Sequence, residues 1–212
     1  MKRFYSILLA TVMLLSTMTF DVFATEDDIV REDLLTLACE VFPEYAQKIR
    51  FQGISSNQRA QRSLVVNETR QVSDNSYLIY TEYSDGIILL TDYEFDAYAI
   101  VTDSLTSSGA TTCTVDIRAV CSNISGYFLV EDVKYTHVRS GYDSINSVGT
   151  YSHHGNCTIH TVHDPILTET ATHGAELKYR LNFTAPGNIT FNSLLTFTVR
   201  YNNTEVSHVD NT

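Results

Sequence analysis

The sequence predicts a mainly β protein: an antiparallel β-sandwich, or an open barrel, of about nine or ten strands preceded by one amphipathic helix. Short runs of alternating apolar and polar residues recur along the chain and are separated by turn residues. The composition agrees, since the 212 residues include 13 Tyr, 10 Phe and only 3 Pro, and aromatic residues favour strands. Residues 76–101 are the longest such stretch, and Asp85-Gly86 inside it is typical of a β-hairpin.

The first 24 residues match the pattern of a signal peptide. Lys2 and Arg3 begin it, residues 7–15 are apolar, and Ala24 is the small residue that a signal peptidase requires. We expect cleavage near Ala24 and a secreted, extracellular protein whose mature chain does not insert into a membrane. The formal net charge of −11 also argues against a nucleic-acid partner, which needs clustered Lys and Arg.

Residues 25–50 form the predicted helical segment, which should pack on the β-domain. Val30, Leu34, Leu37 and Val41 recur at helical spacing. Pro43 should break or kink this helix, because proline removes a backbone donor and clashes with the preceding turn.

Residues 63–201 form the predicted β-domain, and residues 202–212 a flexible tail. The alternation changes phase at Glu131-Asp132, which indicates a β-bulge. The strands are expected at residues 63–72, on both sides of the turn at 84–86, and at 111–121, 127–138, 148–152, 156–162, 176–184 and 189–201.

A cluster of histidines suggests a metal site. His153, His154, His160 and His163 fall close to Cys157, and imidazole and thiolate are the natural ligands of zinc. The spacing opposes a shared metal, however. If residues 156–162 are a strand, His160 points away from Cys157 and His163. The alternative is a group of surface histidines near a turn.

The four cysteines are candidates for disulfides if the compartment is oxidising. Cys113 and Cys121 share one face of a predicted strand, about 26 Å apart when extended, so they cannot bond to each other. Cys157 could meet either one on a neighbouring strand, and Cys39 could join the helix to the sheet. The alternative is four buried thiols that pack as small apolar groups.

Three acidic residues lie along one face of the second hairpin strand: Asp92, Glu94 and Asp96, followed on the same face by Tyr98. Neighbours would be about 6 to 7 Å apart, a separation similar to that of the carboxylates in inverting glycosidases. Ligand binding, calcium binding and a simple solvated strand face are the interpretations of this pattern. No glycine-containing calcium loop accompanies it.

The chain lacks a nucleophile elbow, a phosphate-binding glycine loop and a His-Glu-x-x-His motif. The favoured hypothesis is therefore a secreted, non-catalytic domain without a cofactor, which binds a protein or glycan partner at or outside the cell surface. One alternative is an extracellular hydrolase that uses Asp92 and Glu94. Another is a metal-binding secreted protein that uses residues 153–163.

Overall fold

The computed structural model describes residues 26–51, 62–95, 110–138, 141–185, 189–201 and 203–210. Within them the chain is mainly β, as predicted, with two antiparallel sheets and helices at the N-terminal side. Ten strands are present in these ranges: β1 Leu64–Gln71, β2 Ser76–Tyr83, β3 Ile88–Phe95, β4 Ala110–Cys121, β5 Gly126–Val138, β6 Ser144–Gly155, β7 Cys157–Ile166, β8 Ala175–Ala185, β9 Ile189–Arg200 and β10 Asn203–Asp210.

Both sheets are meanders in which each strand pairs with the next one along the chain. The larger sheet has six strands in the order β1 to β6, and the smaller has four in the order β10-β9-β8-β7. The chain changes sheet between β6 and β7, at Asn156. Apolar side chains from the inner faces of both sheets form one core, in which Phe128 and Tyr135 pack with Tyr179 and Phe197.

Two local predictions about the strands are confirmed. The hairpin between β2 and β3 turns at residues 84–86, with Gly86 at a φ of 83° that favours glycine. The bulge also lies where the alternation changes phase. Val115 pairs with Val133 and Ile117 with Val130, so Asp132 is extra, and its N–H donates to Asp116 Oδ1 at 2.8 Å.

The N-terminal segment packs on the outer face of the larger sheet. Helix α1 spans Glu26–Val41, and after it Pro43 begins a 3₁₀ turn, Pro43–Tyr45, that leads into α2, Ala46–Arg50. Phe42 packs on Tyr80, with ring centroids 5.6 Å apart. This contact belongs to a second apolar cluster, whose members include Leu34, Ala38, Leu78, Leu90 and Val120.

The prediction of a flexible tail after residue 201 differs from the structure. Strand β10 pairs with β9 from Asn203 to Asp210, and the side chain of Val206 is buried in the core. Strand β6, Ser144–Gly155, is likewise longer than the predicted strand at residues 148–152. The sequences of these segments are short and mostly polar, so they carry little strand signal. Their strands are stabilised by pairing with a neighbouring strand.

Candidate functional site

Two residues of the predicted acidic face, Asp92 and Glu94, lie within the described part of the hairpin. Asp92 forms an ion pair with Arg118, its cross-strand partner on β4. Glu94 is exposed and accepts a hydrogen bond from Asn75 Nδ2 at 3.3 Å. Asp96 and Tyr98 lie outside the described residues. Because the carboxylate of Asp92 is held by a guanidinium, this face gives the hydrolase hypothesis no support.

The histidine cluster is divided between different environments. His153 Nδ1 lies 2.8 Å from the carbonyl oxygen of Cys157, whereas the next ring, His154, stacks on Tyr127 at a centroid distance of 4.8 Å. The side chains of His160 and His163 lie outside the described part of the structure. Among the described residues, no three His, Cys, Asp or Glu side chains come together in a way that could hold a metal ion.

All four cysteines are buried thiols in the structure. Cys39 belongs to the cluster between the helix and the sheet, with its sulfur 3.8 Å from the carbonyl oxygen of Ala46. Cys113, Cys121 and Cys157 lie in the core between the two sheets. The prediction that Cys39 could join the helix to the sheet is therefore not met, because the larger sheet separates it from the other three.

A site that the sequence did not reveal lies at one end of the sandwich. There the chain between β5 and β6, the chain between β7 and β8, and the turn between β9 and β10 come together. Two carboxylates are buried among these connections: Asp143 is 1% exposed and Glu169 is 2% exposed. Buried carboxylates are rare unless they are paired or hydrogen bonded. The groups that bind Asp143 and Glu169 belong to different connections, so these bonds hold the connections together.

The carboxylate of Asp143 fixes the end of β5. Its Oδ1 accepts a hydrogen bond from the N–H of Val138 at 2.8 Å, and its Oδ2 lies 3.1 Å from His137 Nδ1. The backbone of Asp143 both donates a hydrogen bond to Glu169 and accepts one from it. The N–H of Asp143 donates to Glu169 Oε2 at 2.9 Å, and its carbonyl accepts from the N–H of Glu169 at 2.8 Å.

Glu169 links this pair to the smaller sheet. Its Oε2 also accepts from the N–H of Tyr201 at 3.4 Å, and its Oε1 lies 3.9 Å from Arg200 Nε. One carboxylate therefore ties the connection that contains Asp143 to the turn after β9. Hydrogen bonds to charged groups are stronger than neutral ones, so we expect these loops to keep one conformation.

Three large apolar side chains are exposed around this network: Tyr142 at 54%, Leu167 at 46% and Tyr201 at 67%. Tyr142 precedes Asp143, and Leu167 is placed by the hydrogen bond from the N–H of Ile145 to its carbonyl at 2.9 Å. We call these three residues the loop-end surface. No motif in the sequence marks them, because their proximity depends on the burial of Asp143 and Glu169, which is a property of the tertiary structure.

Tyr201 has an unusual backbone conformation. Its φ is 53°, in the left-handed region that costs a bulky residue about 1 to 3 kcal/mol. The guanidinium of Arg200 lies over the Tyr201 ring, 4.5 Å from the centroid, and donates to its hydroxyl oxygen at 2.9 Å. A groove of about 380 Å³ opens beside this ring and is lined by Thr172, His173, Arg200, Tyr201, Asn203 and Glu205, among others.

Comparison with known proteins adds no functional information. No family model, no curated protein and no solved structure matches this chain. In the part of the chain that the structure describes, no helix is both long enough and apolar enough to cross a membrane.

Proposed function

We propose that this protein is an extracellular, non-catalytic interaction domain that binds a partner protein through the loop-end surface. The observation that carries the proposal is Tyr201, a large side chain that is 67% exposed in a left-handed turn. Glycine would fit such a turn without strain. Strained backbone that presents a side chain is characteristic of functional sites.

The chemistry of the surface favours a protein partner. Tyrosine and arginine are enriched among the residues that dominate protein interfaces, and Arg200 already lies against the Tyr201 ring. Because the hydrogen bonds of Glu169 order these loops before binding, little conformational entropy remains to be lost on association. Sugar recognition often relies on tryptophan stacking, and the chain contains no Trp.

The proposed location follows from the first 24 residues, which have the charge, length and end of a signal peptide. Expression of the full chain in a host with a secretion system tests this. We expect the released protein to begin at Thr25 when its N-terminus is sequenced. Retention inside the cell with Met1 still present would refute the proposed export.

The binding proposal is tested by substituting Tyr201 with glycine. Glycine keeps the N–H that donates to Glu169, so we expect the free energy of unfolding to stay the same or to rise by up to about 1 kcal/mol. Partner capture should nevertheless fall at least tenfold. The measurement is affinity capture from the extracellular fraction of the organism that makes the protein, with quantitative mass spectrometry of the bound proteins.

A matched control uses exposed apolar residues at the opposite end of the sandwich. Leu64 and Val65 are 56% and 57% exposed, and Leu64 pairs with Tyr83 next to the hairpin turn. Substitution of both by serine should leave capture unchanged. If this control loses as much binding as Tyr201→Gly, or if binding is found only on a glycan array, the loop-end surface is not a protein-binding site.

A further inference from the structure

Two of the buried cysteines lie at the end of the sandwich opposite to the loop-end surface. Cys121 is the last residue of β4 and Cys157 the first of β7. Both are 0% exposed and belong to the core between the sheets. One cysteine therefore lies in the larger sheet and the other in the smaller sheet, at the point where the chain passes from one to the other.

Gly126 lies next to both cysteines. Val120 pairs with Tyr127, and the next step of this antiparallel register leads from Cys121 to Gly126. A Cβ built on Gly126 would lie only 2.8 Å from the backbone nitrogen of Cys157, so the first residue of β7 also lies against this glycine. Both cysteines are therefore neighbours of Gly126.

Backbone hydrogen bonds fix this arrangement. The N–H of Asn156, which precedes Cys157, donates to the carbonyl of Ser125 at 3.1 Å, and the N–H of Ile124 donates to the carbonyl of Cys121 at 3.3 Å. Burial, and after it the repulsion that a Cys121 thiolate would exert, raises the pKa of Cys157 to about 12. Burial likewise raises the pKa of Cys121 to about 12.

We propose that Cys121 and Cys157 form a disulfide that joins the two sheets when the protein folds under oxidising conditions. Cys39 is excluded because it lies on the other face of the larger sheet. Cys113 lies eight residues before Cys121 on the same strand, about 26 Å away, and cannot take its place. The disulfide would lie far from the loop-end surface, at the opposite end of the sandwich.

The oxidant is a small-molecule disulfide such as oxidised glutathione. One cysteine thiolate attacks it, forms a mixed disulfide and releases one small thiol. The second cysteine thiolate then attacks the protein sulfur of that mixed disulfide and releases the second small thiol. Two protein thiols are oxidised, one small disulfide is reduced to two thiols, and the two protons pass to the released thiolates. Exchange must precede closure of the core, since buried thiols with a raised pKa react slowly.

Peptide mapping tests the pairing. The full chain is refolded from urea in a mixture of reduced and oxidised glutathione, its remaining thiols are alkylated in urea, and it is digested with trypsin without reduction. Cleavage after Arg118, Lys134, Arg139 and Lys178 separates Cys121 from Cys157 and both from the other cysteines. We expect two alkylated thiols, at Cys39 and Cys113, and one disulfide-linked pair of peptides that contain Cys121 and Cys157.

Variants and a stability comparison complete the test. Cys121→Ser should leave Cys157 alkylated, whereas the matched variant Cys113→Ser should keep the linked peptides. The oxidised wild-type protein should unfold at a higher urea concentration than its reduced form, and this comparison needs no variant. Four alkylated thiols in the refolded wild-type protein, or linked peptides that contain Cys39 or Cys113, would overturn the inference.

Discussion

Replacing Glu169 with alanine tests whether one buried carboxylate holds the loop end of the sandwich together. The substitution leaves the N–H groups of Asp143 and Tyr201 without their acceptor, and it removes the carboxylate that lies 3.9 Å from Arg200 Nε. A hydrogen bond to a charged group contributes about 1.5 to 3 kcal/mol, and a buried donor left unsatisfied costs a similar amount. We therefore expect the free energy of unfolding to fall by about 3 to 5 kcal/mol.

Urea unfolding followed by circular dichroism measures this loss. Glu169→Gln keeps one carbonyl acceptor for the two N–H groups, so its loss should be smaller, about 1 to 2 kcal/mol. Glu131→Ala is the matched control, because that carboxylate is exposed and its removal should change stability by less than about 0.5 kcal/mol. If Glu169→Ala unfolds within about 0.5 kcal/mol of the wild-type protein, the network does not anchor the loops.

Three further predictions concern the scaffold. Gly126→Ala should destabilise the protein by about 3 kcal/mol or more, since its φ is 119° and a Cβ would lie 2.6 Å from a backbone oxygen. Gly86→Ala, with nothing within 4 Å, should cost only about 1 kcal/mol, and equal melting temperatures would contradict this. Burial raises the pKa of Tyr93 to about 12, so the stability that its neutral form provides is complete below about pH 10 and lost towards pH 12. Urea unfolding should show a smaller loss for Tyr93→Phe. A hydrogen bond from Arg70 lowers the pKa of Glu44; Arg70→Met should raise that pKa in an NMR titration, and an unchanged value would refute the contact.

Much of the scaffold could be predicted because its signals are local. Asp85-Gly86 specifies a hairpin through the conformations that those two residues adopt easily. The change of phase at Glu131-Asp132 specifies a bulge, because one inserted residue moves every later side chain to the opposite face. Pro43 ends α1 for the equally local reason that it cannot donate a backbone hydrogen bond. Each signal acts within a few residues, so one sequence is enough to detect it.

The candidate site depends on contacts between distant residues and could not be predicted in the same way. Asp143 and Glu169 lie in polar connections, which are the usual place for solvated carboxylates. They are buried because the meander brings the end of β5, the start of β8 and the turn at Tyr201 to one end of the sandwich. The sequence does not predict strand β10 for a related reason, since its stability comes from its pairing with β9.

The two ends of the sandwich differ in construction. The proposed disulfide lies at one end and the proposed partner-binding surface at the other. At the closed end the chain crosses between sheets through a tight turn, where Gly126 and Gly155 have positive φ values and Cys121 and Cys157 are fully buried. At the loop end, charged groups are buried and aromatic side chains are exposed. A disulfide at the closed end reduces the conformational entropy of the unfolded chain and keeps the two sheets together. It leaves the contacts of Glu169 unchanged. We therefore expect Cys121→Ser to lower the stability of the oxidised protein without weakening partner capture at the loop-end surface.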